Sequence, residues 1–371
     1  MPTTLHQIDS RSKFNEMYYA LPGDFTRASG VPVDARRVID EPGWSPYCLD
    51  PENDALTFVR LPPEIDLSGA SFYYVTQYRE ANAVIDMPFD EAIALAATLP
   101  NPEIALIFSI GRCGTTLVNH ALNRSAEVVS LSEPEVFAHG AFRALPATVD
   151  RLALIDAVCR LLFAARSDRD ARLLAIKFRS QALFIGEDIF RALPRAKYVF
   201  MYRDAVTWSE SMLQFVLDVG IPLPMNRQNR DFSWMMISAD TPIAELGRYI
   251  DLDQDLTEAD VGIPPGWSVQ SEQYRKLLDA GVPFLALRYN ELVRNREAEL
   301  TRLFTHCGVP LDSVAKALSA FDEDSQKGTL IERKGEKRRF DAAGIANIRS
   351  TLAKNPAFAD PDLILPDFYS R

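Results

Sequence analysis

The sequence predicts an α/β fold, a parallel sheet flanked by helices, behind an N-terminal extension. Two observations predict it: from residue 104 onward short apolar runs alternate with helical stretches, and residues 1–100 lack that rhythm. The apolar runs cover 104–110, 128–131, 173–178, 197–202 and 282–287. Continuous rather than alternating hydrophobicity is what a strand buried on both faces requires. Between them lie helical stretches at 115–122, 149–165, 186–193, 206–217, 270–280 and 294–307. Strand and helix in alternation imply parallel strands with helical crossovers.

The chain therefore divides into a 1–100 extension of mixed short strands and loops and a 101–371 α/β domain. The extension is rich in proline and aromatics (GWSPYCLDPE, RLPPEID, SFYYVTQY), has a strand-like run at 55–60, and ends in a helix over 89–98 closed by LPNPE. Residues 220–268 read as irregular, with several prolines, and suit a lid or a substrate wall.

Composition narrows the function. The 371 residues are 47% hydrophobic and 25% charged, the balance of an ordinary globular protein. A net charge of −11 argues against a nucleic-acid partner, which would need a basic surface. Four dispersed cysteines and four histidines show no ligand-like spacing, so no metal is expected. The N-terminus lacks a signal-peptide core and no apolar run reaches the ~18 residues of a membrane span, so no membrane association is expected. A reducing cytoplasm is the default compartment, and a homodimer is left open.

The informative stretch is IFSIGRCGTTLVNH, residues 107–120. A strand, a loop with two glycines and a helix form an anion cradle: backbone N–H groups converge and the helix dipole adds positive charge. The pattern is P-loop-like, but the Gly-Lys of triphosphate loops is absent, and so is the dinucleotide pattern G-x-G-x-x-G. A plain turn with Thr115 capping a helix would explain the threonines, but not Arg112 beside the glycines. Downstream, AKYVFMYRDAVTWSESML places Arg203 and Asp204 at the carboxyl end of a strand, with Ser209 and Ser211 on the following helix. Ligands of open parallel sheets bind at that edge, although Arg203 and Asp204 could also be a surface ion pair.

Together these segments resemble the sulfotransferases that use 3′-phosphoadenosine 5′-phosphosulfate (PAPS). The 5′-phosphosulfate loop of that family reads Pro/Arg-Lys/Arg-Ser-Gly-Thr-Thr, and here it is matched by Gly111, Arg112, Cys113, Gly114, Thr115 and Thr116. The family's 3′-phosphate motif, a strand-ending Arg-Asp leading to a serine, is matched by Arg203, Asp204 and Ser211. Cys113 stands where serine is usual. LALRYNELVRNREAELTRLFTHCGVP looks like the family's next strand, Tyr-Glu-x-Leu segment and helix. The spacing is most similar to the protein-tyrosine sulfotransferase type. Glu133, nineteen residues after Gly114, falls where those enzymes carry a base, and Lys177, twenty-six before Arg203, where they carry a cation facing the transferred group.

The resemblance implies a sulfotransferase fold, PAPS as sulfuryl donor without a metal, and a small-molecule acceptor bearing a hydroxyl or amine. Arg112 and Lys177 would stabilise charge in the transfer, and Glu133 would accept the acceptor's proton. Glu135 and then His139 are the alternative bases. The N-terminal extension would either pack on the domain or form part of the acceptor pocket. In ERKGEKRRF, Arg333, Lys334 and Gly335 fit the family's nucleotide-covering segment, while DSQKGT at 324–329 competes for that role. Two alternatives stay open: a phosphotransferase on a similar sheet, and a nucleotide-binding protein without turnover.

Overall fold

A computed structural model of the chain describes residues 2–13, 15–165, 171–218, 243–249, 262–323, 329, 332 and 336–370. Two sheets organise it. The first is antiparallel and built from β1 (Thr4–Arg11), β2 (Phe25–Arg27), β3 (Val31–Pro32), β4 (Trp44–Asp50), β5 (Ala55–Arg60) and β6 (Ala83–Pro88). Its order is β2-β1-β6-β5-β4, with β3 also paired to β1. The second is wholly parallel: β7 (Glu103–Ser109), β8 (Val128–Ser132), β9 (Leu173–Lys177), β10 (Lys197–Tyr202) and β11 (Phe284–Arg288), in the order β11-β10-β7-β9-β8. The α/β architecture expected from the alternating pattern is the one observed.

The order of the parallel strands places the site. From β7 the chain runs toward β8, and from β10 it runs the opposite way, toward β11. The crevice between β7 and β10 is thus the switch point at which ligands of such sheets bind. The register aligns the strand ends: Ser109 pairs with Met201, Ile107 with Lys177, and Ser132 with Lys177. The residues that follow β7, β8 and β10, together with Lys177 ending β9, emerge along one edge.

Among the described residues the principal helices are α1 (Tyr73–Glu80), α2 (Phe89–Ala96), α3 (Thr115–Leu122), α4 (Arg151–Ala164), α5 (Gly186–Ala192), α6 (Ala205–Asp218), α7 (Pro264–Asp279), α8 (Tyr289–Arg294), α9 (Arg296–Cys307) and α10 (Ala342–Leu352). Asp150 caps α4 by accepting from Leu152 N and Ala153 N at 3.1 and 3.0 Å, filling donors the helix leaves open. Helix α7 starts six residues before the expected 270. Pro264 and Pro265, which read as breakers, occupy its first turn, where a missing N–H costs nothing.

The two sheets share one continuous apolar core, from Tyr47 and Phe58 on one side to Phe108 and Phe200 on the other. Helix α4 joins them, packing against α2, α5 and β4. Polar ties reinforce the seam: Asn123 Nδ2 donates to the Ser68 carbonyl at 2.8 Å and Ser132 Oγ to the Ser71 carbonyl at 2.6 Å. No helix of the described residues is long and apolar enough to cross a membrane.

Candidate functional site

The loop after β7 is held in an unusual backbone conformation. Gly111, Arg112 and Gly114 all have left-handed φ, at 72°, 51° and 83°. For an arginine that conformation costs on the order of 1–3 kcal/mol and persists only where the surroundings enforce it. Here Ser109 Oγ accepts from Gly111 N at 3.1 Å, and Trp208 Nε1 donates to the carbonyls of Ile110 and Gly111, both at 3.1 Å. Gly114 is required twice over, because a Cβ there would also lie 2.7 Å from the Tyr289 ring. The first helical bond runs from Val118 N to Gly114 O at 3.1 Å. The N–H groups of Thr115, Thr116 and Leu117 precede it and have no partner within the helix, which leaves them available to an anion.

Cys113 turns inward. Its Sγ donates to the Met201 carbonyl at 3.3 Å, and burial pushes the thiol up to about 12. Its part in the cradle is therefore its backbone. The serine-to-cysteine departure from the family pattern falls on a side chain that faces the core.

The second motif meets the first. Arg203 follows β10 with its Nε donating to Thr207 Oγ1 at 2.7 Å and its guanidinium 4.6 Å from the centre of the Tyr289 ring. Trp267 Nε1 donates to the Arg203 carbonyl at 2.8 Å. Asp204 holds the start of α6, accepting from Thr207 N at 2.8 Å and from Asn290 Nδ2 at 3.1 Å, so it is a positioning group and not a surface ion pair. Ser211, two turns along α6, accepts from Arg112 Nε at 3.4 Å, and the Arg112 guanidinium lies over Phe215 at 5.6 Å. Ser209 instead back-bonds to the Ala205 carbonyl at 2.7 Å and is buried.

Glu133 and Lys177 are partners. Lys177 Nζ donates to Glu133 Oε1, and Glu133 N donates to the Lys177 carbonyl at 2.7 Å. The side chains are 12% and 4% exposed. Glu133 also has left-handed φ, 62°. Among the described residues only Asp54, Arg112 and Glu133 combine a side chain with positive φ, and two of these three are in the site. Such outliers gather where function holds them.

The alternative bases lie deeper. Glu135 is 2% exposed and accepts from Arg179 Nη1 at 3.3 Å and Gln181 Nε2 at 3.3 Å; burial pushes its carboxyl up to about 7 against the pull of Arg179. His139 is buried, its Nδ1 2.8 Å from Gln181 Oε1. Neither lines the cleft, whereas Glu133 does.

That cleft has a volume of about 380 Å³, a usual size for a small-molecule site. Arg112, Cys113, Gly114, Thr115, Thr116, Glu133, Lys177, Arg203 and Ser211 all border it. Arg179 and Arg296 add basic charge that the sequence reading did not single out, and Tyr289 stood in the quoted YNEL segment without an assigned role. Met17 and Phe72 reach the same cleft from the N-terminal region, where no local pattern marked them. Lys334, with Arg333 and Gly335, and most of 324–329 and 220–268 lie outside the described residues. The described part of the basic tail runs along α6: Arg339 Nη1 pairs with Glu210 Oε2 at 2.6 Å and Phe340 N donates to Glu210 Oε1 at 3.3 Å.

No family model and no curated protein matches the chain. Similar solved structures are a sulfotransferase from Alicyclobacillus acidocaldarius (13% identity, 70% of this chain and 96% of that one, TM-score 0.40) and the sulfotransferase STF9 from Mycobacterium avium (10%, 71% and 80%, TM-score 0.42). A third is mouse sulfotransferase SULT7A1 complexed with PAP (12%, 73% and 91%, TM-score 0.39). At these identities the functional reading rests on the site's own residues.

Proposed function

We propose that the protein is a PAPS-dependent sulfotransferase acting on a hydroxyl or amine of a small molecule. One observation carries the reading: the loop at 111–116, the Arg203–Ser211 motif and the Lys177–Glu133 pair border a single cleft. The donor set suits a ligand with two anionic ends. Loop amides and Arg112 offer hydrogen bonds to one end, and Arg203 with Ser211 to the other.

The donor, when bound, supplies an S–O bond whose cleavage releases adenosine 3′,5′-bisphosphate as the acceptor's O–S or N–S bond forms. Glu133 takes the proton that the attacking hydroxyl or amine loses. A carboxylate accepts at both oxygens, so the pairing on Oε1 leaves it capacity to do so. Lys177 has three donors, of which Glu133 engages one, and as it borders the cleft the others would be available to the charge that builds on the leaving oxygen. Arg112 adds a second cation on the loop side. These assignments to Glu133 and Lys177 follow the spacing of the protein-tyrosine sulfotransferase type. The positive charge in this cleft comes from Arg112, Lys177, Arg179, Arg203 and Arg296, which supports sulfuryl over metal-supported phosphoryl transfer.

Calorimetry with adenosine 3′,5′-bisphosphate against magnesium-ATP tests the reading. The bisphosphate should bind at least tenfold more tightly. Tight ATP binding without bisphosphate binding would overturn it.

A further inference from the structure

A base must touch the atom it deprotonates, so the groups that border Glu133 also border the acceptor. Part of that border comes from outside the parallel sheet. Ser132 Oγ donates to the Ser71 carbonyl at 2.6 Å, which seats Phe72 beside the end of β8, and Phe72 lines the cleft. Arg179, two residues past Lys177, donates to the Met17 carbonyl at 3.1 Å and to Glu135 at 3.3 Å. Its guanidinium lies 5.6 Å from the Tyr19 ring centre and 5.8 Å from that of Tyr74. The Tyr74 hydroxyl donates to the same Met17 carbonyl at 3.2 Å, and Phe72 meets the Tyr74 ring edge-on at 6.5 Å.

Met17 and Phe72 are thus fixed from behind by a satisfied polar network, and each is less than a tenth exposed. Neither side chain titrates or carries a charge, so they have no part in proton or charge transfer. What they offer the cleft is apolar surface. A ligand hydroxyl pressed against it would lose water and gain no partner, which disfavours polar acceptors there.

We propose that the N-terminal region supplies the acceptor wall, with Met17 and Phe72 selecting acceptors that carry an apolar surface beside their nucleophilic atom. The proposal rests on the sulfotransferase reading for the role of Glu133. It decides between the two places open to residues 1–100 in favour of the acceptor pocket.

The test uses protein saturated with adenosine 3′,5′-bisphosphate, into which 2-naphthol or methyl glucoside is titrated. In the first the hydroxyl sits on a flat apolar ring; in the second it is flanked by other hydroxyls. 2-Naphthol should bind saturably, and methyl glucoside should not compete with it. Phe72→Ala and Met17→Ala should each weaken 2-naphthol about tenfold or more, the scale of a lost apolar contact in a pocket. Phe72→Tyr, which keeps the shape and adds a hydroxyl, should weaken it too. All three variants should keep bisphosphate affinity within about twofold, which reports an intact fold and nucleotide site. Binding of 2-naphthol unaffected by Phe72→Ala and Phe72→Tyr would overturn the proposal. So would a protein that binds bisphosphate but not 2-naphthol, or one that prefers methyl glucoside. A wild-type protein that fails to bind bisphosphate would instead overturn the functional reading beneath it.

Discussion

Among the described residues a lysine and a carboxylate pair largely out of solvent twice, once in each half, and the surroundings of the two pairs differ. Lys13 and Asp24, in the N-terminal half, sit 2.9 Å apart at 1% and 4% exposure. Tyr47 donates to Asp24, and the rings of Tyr47, Tyr74 and Tyr78 surround Lys13 at 5.9, 5.6 and 5.4 Å. Burial holds the Lys13 ammonium below its ordinary range while Asp24 pulls it back up. Lys177 and Glu133 instead open onto a cleft lined by arginines, and Glu133 stands on left-handed backbone. An enclosed pair with its partners satisfied is a structural element. A pair that opens onto the cleft from left-handed backbone, with donors and lone pairs to spare, is the one to which the proposed function gives the chemistry.

That contrast can be broken by experiment. Glu133→Gln keeps shape and hydrogen bonding but removes basicity. Sulfuryl transfer to a good acceptor should fall roughly 10²–10⁴-fold while bisphosphate affinity changes little. Near-full activity would move the base elsewhere, with Glu135 the next candidate. Asp24→Ala should do the reverse. Denaturant titration should show about 3–5 kcal/mol of lost stability, because Lys13 is left buried and unpaired. Bisphosphate affinity of the folded fraction should be unchanged, and a large loss of it would mean that the two pairs are coupled.

Glu135 lies between the two regions, facing Arg179, Glu133, Lys13 and Gln181. Its carboxyl titrates at about 7 in the folded protein against an ordinary 4.5. The folded state therefore holds this proton more tightly than the unfolded one. The associated stability is fully present below pH 4.5 and is lost as pH rises through about 7. Its total is on the order of 3 kcal/mol. Glu135→Gln removes that dependence, so unfolding measured at pH 5, 6 and 7 should show the variant gaining on the wild type as pH rises. A constant difference would place the Glu135 titration outside this window. The smallest effect is expected at Arg203. Arg203→Ala should cost about 2 kcal/mol of bisphosphate binding and equalise it with adenosine 5′-monophosphate, the scale of one charged hydrogen bond. A retained preference for the bisphosphate would place the 3′-phosphate elsewhere.

The same contrast marks what the sequence could reveal. The strands and helices of the parallel half announce themselves locally: the apolar run 197–202 is a strand, and the helical stretch 206–217 differs from α6 by one residue at each end. In the antiparallel sheet only 55–60 stood out. β4 lies in GWSPYCLDPE, which the sequence marks only as rich in proline and aromatics. Pro46 is tolerated because β4 is the sheet's edge strand and its pairing with β5 shifts register between Pro46 and Cys48. Within the site, residues tied to a motif were legible one at a time. Their pairing was not, because Glu133 and Lys177 are brought together by strand order and not by spacing. Met17 and Phe72 had no motif at all, and only tertiary folding carries them to the cleft.

All four cysteines of the chain are buried, including Cys113 in the loop itself. Desolvation raises each thiol above its ordinary range, and the thiolate is the form that reacts. The native surface is thereby silent toward maleimides and iodoacetamide. A single cysteine introduced on an exposed position near the cleft would accept a fluorophore without background. Ligand binding and any movement of the cleft walls could then be followed in the otherwise unaltered protein.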